Sequence, residues 1–262
     1  MQQSKDTRIA ILGCGNIGLS LAKGLTKANY TAPKNIMLTR RNVASLSSMA
    51  EQGYQTSDQN FEAVSQASVI IIAVLPQQVD QLLNEIVGAI NPEKHLVVSV
   101  MSGVSCHDIR SKLAGKLQVV RAMPNTAIAV SQSITCLASD NASPEHFKMA
   151  EDLFKTVGSV MTIREELMAS ATAICACGIA FFLRAIRAAS QGGVEVGFHA
   201  AEALSMAAQT AKGAAELLLH HQNHPEHEID RVTSPNGCTI AGLNEMEHHG
   251  FSSSLIKGIK IA

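Results

Sequence analysis

The 262-residue sequence contains no tryptophan, and aromatic residues make up only 3% of it. Its core must therefore be built mainly from Ala, Ile, Val, Leu and Met. Small aliphatic side chains suit parallel sheets and close-packed helices better than an aromatic-rich β-sandwich. An excess of charge of one sign is also missing: 21 Lys and Arg face 22 Asp and Glu, with no long run of either. That balance argues against nucleic acid or an acidic membrane surface as a partner. Six cysteines (Cys14, Cys106, Cys136, Cys175, Cys177 and Cys238) are scattered without a CxxC pair. The opening MQQSKDTRIAILG lacks a basic segment followed by a separate apolar stretch and cleavage site. No signal peptide is expected, so the thiols should stay free in a reducing, cytoplasmic compartment. The longest candidate membrane span, Met168 to Leu183, falls short of the roughly 20 apolar residues a crossing needs. A helix packed on another helix is the expectation there.

What is present is alternation. RIAIL (8–12) reads as a strand and NIGLSLAKGLTKA (16–28) as a helix with apolar residues at helical spacing. Further strands are expected at IMLT (36–39), SVIIIAV (68–74), LVVSV (96–100), LQVVRA (117–122), ITCLA (134–138) and SVMTI (159–163). SVIIIAV is apolar almost throughout, as a strand buried on both faces should be. Helices are expected over 43–52, around 78–90 and over 107–113. Another runs to about Val157 from Ser143-Pro144-Glu145, an N-cap, a first-turn proline and an acidic first turn. This order predicts an α/β fold with a doubly wound, mostly parallel sheet and right-handed crossovers.

After Arg164 the period becomes helical. EELMASATAICACGIAFFLRAIRAAS reads as one helix broken by Gly192-Gly193. A second helix is expected over 195–222, with Leu204, Ala208, Ala211, Ala215 and Leu218 on one face. Pro225 ends that pattern, and a short helix, a polar turn and two more helices follow. Two domains are therefore expected, 1–164 and 165–262. An all-helical domain of about 100 residues, rich in small side chains, cannot bury all its apolar surface alone. A homo-oligomer through that domain is expected.

ILGCGNIG sets Gly13, Gly15 and Gly18 in GxGxxG spacing directly after a strand and at the start of a helix. The first glycine permits a tight turn, the second lets backbone approach a pyrophosphate, and the third lets helix pack on strand. The turn Gly13–Gly18, with Cys14, Asn16 and Ile17, is thus a Rossmann-type dinucleotide candidate. Its helix start offers unpaired N–H groups and a positive dipole. An NAD enzyme would end the second strand with Asp or Glu; here Arg40 and Arg41 stand there. A guanidinium pairs with a 2′-phosphate, so NADP(H) is favoured. Near the other end, SPNGCTIAGL (234–243) joins a tight turn to a helix start. Its backbone N–H groups would cradle a carboxylate or simply form an ordinary cap.

GCGNIG, AVLPQ (73–77), RAMPNT (121–126) and HPEHEIDRVTSPNGCTIAGLNEMEHHGF (224–251) occur in collinear order over nearly the whole chain. Together they resemble the pyrroline-5-carboxylate reductases. The resemblance implies NADPH-dependent reduction of 1-pyrroline-5-carboxylate to L-proline, by a dimer or higher oligomer built on the helical domain. It implies that Ser234, Gly237, Cys238 and Thr239, with a neighbouring subunit's cofactor domain, hold the imino acid. The backbone of Gly237 and Cys238 would meet its carboxylate and the Thr239 hydroxyl its nitrogen. Glu165 would lie near the substrate. Arg40 and Asn60 would lie by the adenosine, and Ala73, Val74, Pro76, Met101 and Ser102 would line the cofactor.

The chain departs from the family pattern at three places. Leu75 replaces the lysine of AVKP, ACGIA (176–180) replaces GSGPA, and Asn236 replaces the first glycine of SPGG. Asn tolerates a left-handed backbone, so the last change is mild. No lysine occurs from Thr156 to Ala211, which counts against a hydroxyacid dehydrogenase with a lysine on its first long helix. Two alternatives stay open at this point: reduction of a different small imine or keto acid, and a weakly catalytic NADP-binding dimer. The histidines at 220, 221, 224, 227, 248 and 249 lie near helix ends, so no metal site is expected.

Overall fold

A computed structural model describes residues 6–113 and 115–262. Two compact units make up the chain, one reaching to Ala176 and one beginning at Cys177. The first holds eight strands: β1 (Ile9–Leu12), β2 (Ile36–Thr39), β3 (Gln55–Ser57), β4 (Val69–Ile72), β5 (Leu96–Ser99), β6 (Gln118–Met123), β7 (Ser133–Ala138) and β8 (Gly158–Thr162). Its helices are α1 (Asn16–Lys27), α2 (Ser47–Glu51), α3 (Asn60–Gln66), α4 (Val79–Ile86), α5 (Cys106–Lys112) and α6 (Pro144–Lys155). The strands form one sheet in the order β3-β2-β1-β4-β5-β6-β7-β8. Among the described residues, only β6 and β7 pair antiparallel.

The apolar runs explain this arrangement. Successive residues of a strand point to opposite faces, so a strand buried on both must be apolar at every position. In β1 and β4, Ile9, Ile11, Val69 and Ile71 join Leu21 and Leu25 of α1 and Leu153 and Phe154 of α6. The alternate residues Ala10, Leu12, Ile70 and Ile72 pack with Val64 of α3, Leu82, Leu83 and Ile86 of α4, and Ile109 of α5. The doubly wound, mostly parallel sheet expected from the sequence is thus present, its strands within a residue or two of the expected places. Two elements gave no pattern to read. β3 is a partly exposed edge strand of three residues, and α3 has only seven.

A 3₁₀ turn at Glu165–Leu167, α7 (Met168–Ala171) and a π-helical stretch at Thr172–Cys177 follow β8. Met168 and Ala171 pack with Met123, Cys136 and Ala138, which ties this segment to the sheet.

The second unit contains α8 (Gly178–Glu195), α9 (Ala200–His221), α10 (Pro225–Arg231), α11 (Cys238–His248) and α12 (Phe251–Ile261). Three expectations are corrected here. The first helix is not broken at Gly192-Gly193; α8 runs through both and stops at Glu195. A Cβ on Gly193 would lie 2.9 Å from the Ala203 Cβ, so that glycine serves the close approach of α8 and α9. Accordingly α9 starts at Ala200, not 195. Pro225 lies beyond the end of α9, as expected, and fills the first turn of α10. Because helix continues from Glu165 to Glu195, that 31-residue run is long and apolar enough to cross a membrane by length and composition. The expected span, Met168–Leu183, covers only part of this run. The face expected to carry Leu204 lies open in the single chain: Leu204 is 47% exposed, and Phe182, Leu183 and Met206 are exposed with it.

Candidate functional site

Strand order reverses direction between β1 and β4, and a groove of about 470 Å³ opens at the carboxyl ends of β1, β2 and β4. Such a switch point is where open α/β sheets bind ligands. Gly13, Cys14, Gly15, Arg40, Arg41, Asn60, Ala73 and Val74 line it, all of them expected there.

The turn is organised from β2. The Gly13 and Cys14 N–H groups donate to the Thr39 carbonyl at 3.2 and 2.9 Å, and Gly15 N–H donates to the Gly13 carbonyl at 2.8 Å. The next three N–H groups, of Asn16, Ile17 and Gly18, open α1, where no intrahelical acceptor exists and no side chain caps the helix. These donors and the helix dipole make an anion site. The three glycines differ in what a side chain would meet. Gly13 has φ +81°, and a Cβ there would stand 2.3 Å from Val74 Cγ1. At Gly18 a Cβ would press on Ile11 Cγ2 at 3.1 Å. A Cβ on Gly15 would meet nothing within 4 Å and would project into open space. Cys14 contributes backbone only, since its thiol is buried and donates to the Ile11 carbonyl at 3.3 Å. Burial pushes that thiol up to about 12 against the smaller lowering effects of Thr39 and Arg40.

Arg40 and Arg41 are exposed at the groove, and among the described residues neither forms a salt bridge. Two unpaired guanidiniums beside an uncapped helix start and an open glycine fit a cofactor carrying both a pyrophosphate and a 2′-phosphate. Asn60 is held from two sides. The Thr39 hydroxyl donates to Asn60 Oδ1 at 2.6 Å, while Asn60 Nδ2 and N–H donate to Glu85 at 3.0 and 3.3 Å. Pro76 starts a 3₁₀ turn next to the groove. Met101 is buried in the core with its N–H donating to Ser99 Oγ at 3.4 Å, whereas Ser102 is exposed.

Sequence reasoning missed Thr39, Leu75, Asp58, Gln78, Gln81 and Glu85 as groove residues. Thr39 was discoverable as the last residue of β2. Gln81 and Glu85 lie four apart on α4, but only the fold brings that helix to the turn.

Glu165 is held within the first unit. Its Oε1 accepts from the Cys106 N–H at 2.8 Å and pairs with Arg121 at 3.2 Å. Cys106, Asp140 and Glu165 form a possible ligand cluster among the described residues. Its carboxylates already pair with Arg110 and Arg121. Of the C-terminal histidines, His220, His221 and His249 lie against Glu216, Glu228 and Glu245 respectively.

In the second unit, Ser234–Gly237 forms a tight turn closed by the Gly237 N–H donating to the Ser234 carbonyl at 2.9 Å. Asn236 has φ +56°, the left-handed conformation expected of it. Gly237 precedes α11 and no side chain caps that helix, so the opening N–H groups of Cys238 and Thr239 have no cap partner. Cys238 is exposed.

A glycine turn, an uncapped helix start and a basic end to β2 at a sheet's switch point define a Rossmann-type protein for a dinucleotide cofactor. A family model described as "NADP oxidoreductase coenzyme F420-dependent" matches residues 8–103. One described as "Pyrroline-5-carboxylate reductase dimerisation" matches residues 165–262. Pyrroline-5-carboxylate reductase 1 of Dictyostelium discoideum is 50% identical over 266 residues, covering 97% of this chain and 48% of that protein. This chain thus spans about half the length of that relative. Pyrroline-5-carboxylate reductase 2 of the same organism is 45% identical over 267 residues, covering 96% of this chain and 89% of the other. The crystal structure of Plasmodium falciparum pyrroline carboxylate reductase with NADP bound shares the fold, with a TM-score of 0.87 at 23% identity, over 98% of this chain and 95% of that one. The chain belongs to the pyrroline-5-carboxylate reductase family.

Proposed function

We propose that this protein reduces 1-pyrroline-5-carboxylate to L-proline with NADPH, the last step of proline synthesis. The observation that carries the reading is family membership along nearly the whole chain together with a groove built for a 2′-phosphorylated dinucleotide. NADPH supplies the hydride. The chain's residues bind and orient: the N–H groups of Asn16, Ile17 and Gly18 take the pyrophosphate, and Arg40 and Arg41 take the 2′-phosphate. Asn60 meets the adenosine. Ala73, Val74, Pro76, Met101 and Ser102 shape the nicotinamide side. At the turn, working with a neighbouring subunit's cofactor domain, Ser234 and the backbone of Gly237 and Cys238 hold the substrate carboxylate, and the Thr239 hydroxyl orients the ring nitrogen. Glu165 lies at the substrate end. A protonated imine is already electrophilic, so positioning supplies most of the rate and no strong base is needed.

Residues 1–164 form the NADP-binding domain and 165–262 the helical domain, whose open apolar face at Leu204 joins a second copy in a homodimer or larger oligomer. The six free cysteines suit a cytoplasmic protein. The test is Thr239→Ala, for which turnover should collapse while NADPH still binds. Unchanged turnover would remove the role given to the hydroxyl.

A further inference from the structure

We infer that Glu85 is a positioning residue for the cofactor, acting by fixing which way the Asn60 carboxamide points. The inference rests on the proposed reading of the groove as an NADPH site. An ionised carboxylate only accepts hydrogen bonds, whereas a carboxamide has a donor end and an acceptor end of nearly identical shape. Glu85 receives two donors from one residue: Asn60 N–H at 3.3 Å on one oxygen and Asn60 Nδ2 at 3.0 Å on the other. The carboxylate therefore requires the amide nitrogen on its own side and sends Oδ1 toward Thr39. With Oδ1 there, the Thr39 hydroxyl must donate, and it does so at 2.6 Å. Its oxygen is then left to accept from the Gly13 N–H, which lies 3.4 Å away. One charge thus sets the polarity of a chain that starts on α4, passes the first residue of α3 and the end of β2, and finishes at the glycine turn.

Every member of that chain lines the groove. What remains for a ligand is one N–H and one lone pair of Asn60, presented in a single orientation. With glutamine there, its one oxygen is taken by the Asn60 N–H and its NH₂ group faces the carboxamide, so the flipped orientation becomes the major one and the correct pattern is left to a minor fraction. A binding site whose competent form is partly populated loses affinity by that fraction. Glu85→Gln is the discriminating change because it keeps the shape but supplies only one acceptor oxygen, and its NH₂ group donates to Oδ1 of the flipped Asn60 amide.

NADPH dissociation constants should be measured by titration for wild type, Glu85→Gln, Asn60→Ala and the double variant, with steady-state kinetics on each. Glu85→Gln should weaken NADPH about 5- to 20-fold, with the effect in KM for NADPH and little change in kcat. In the Asn60→Ala background the same substitution should add less than about twofold, because a residue acting through Asn60 has nothing left to orient. Thr39→Val, which removes the other anchor without changing shape, should behave likewise. Additive losses in the double variants, an unchanged NADPH constant in Glu85→Gln, or tighter NADPH binding there would each overturn the inference. Tighter binding would mean that Glu85 only repels the phosphate. Failure of wild type to bind NADPH would instead overturn the reading of the groove itself.

Discussion

Alanine substituted in turn at Gly13 and Gly15 should separate folding from cofactor binding. At Gly15 the backbone is extended (φ −92°) and the added Cβ meets no protein atom within 4 Å. The folded chain loses about 0.5–1 kcal/mol of N-cap preference, offset by about 0.4–1 kcal/mol from a less flexible unfolded chain. Its Tm should therefore stay within about 2 °C of wild type, given roughly 2–4 °C per kcal/mol for a domain of this size. The new methyl group occupies the space through which a pyrophosphate would approach Asn16, Ile17 and Gly18. An intruding methyl group in a close contact costs about 1–3 kcal/mol, which corresponds to a roughly 5- to 150-fold weaker NADPH constant. Gly13→Ala should do the reverse. Its left-handed backbone costs about 1–2 kcal/mol with a side chain, and the 2.3 Å approach to Val74 Cγ1 adds about 1–3. Together these predict a Tm lower by roughly 5–15 °C. Thermal unfolding and NADPH titration on both variants are the assays. If Gly15→Ala bound NADPH like wild type, no phosphate would pass over that glycine; if it unfolded early, the open space would not be open.

Arg40→Ala should weaken NADPH about 10- to 150-fold, the worth of a lost charge-assisted contact, and NADH less than about threefold; equal losses would remove the 2′-phosphate assignment. His95 is buried, and burial, with Lys94 beside it, holds its pKa below the ordinary 6.5. The unfolded chain then binds a proton that the fold refuses, so the stability held above pH about 6.5 is lost as pH falls toward the folded value. A Tm series from pH 7.5 to 5 should show a shallower loss for His95→Asn than for wild type, and parallel curves would refute this. Arg121→Met leaves the half-buried Glu165 with the Cys106 N–H alone and should cost about 2–4 kcal/mol in denaturant unfolding. Arg121→Met combined with Glu165→Met should recover part of that loss; a deeper loss would show that the pair is not the cause.

The sheet was legible because its central strands are buried on both faces. IAIL and VIII have no choice but to be apolar at every position, and the helices between them carry one apolar stripe each. β3 was not legible because it is a partly exposed edge strand of three residues, nor α3, which buries only Ala63 and Val64 and so shows no apolar stripe. Gly192-Gly193 misled for a physical reason: a glycine that breaks an exposed helix is the same residue that lets two helices touch, and only Ala203 distinguishes the cases. In the groove, the turn and the arginines were legible because backbone conformation and charge are written in residue type. Glu85 was not, because its role depends on α4 lying beside Asn60, a contact 25 residues apart in sequence.

The proposed reduction of 1-pyrroline-5-carboxylate to proline by NADPH can be followed directly. Purified protein should be mixed with both while absorbance of the reduced cofactor is followed, with NADH in a parallel cuvette and proline assayed at the end. NADPH absorbance should fall briskly and NADH absorbance more slowly, with one proline formed per NADPH consumed. NADPH binding with no oxidation and no proline would contradict the proposed reaction.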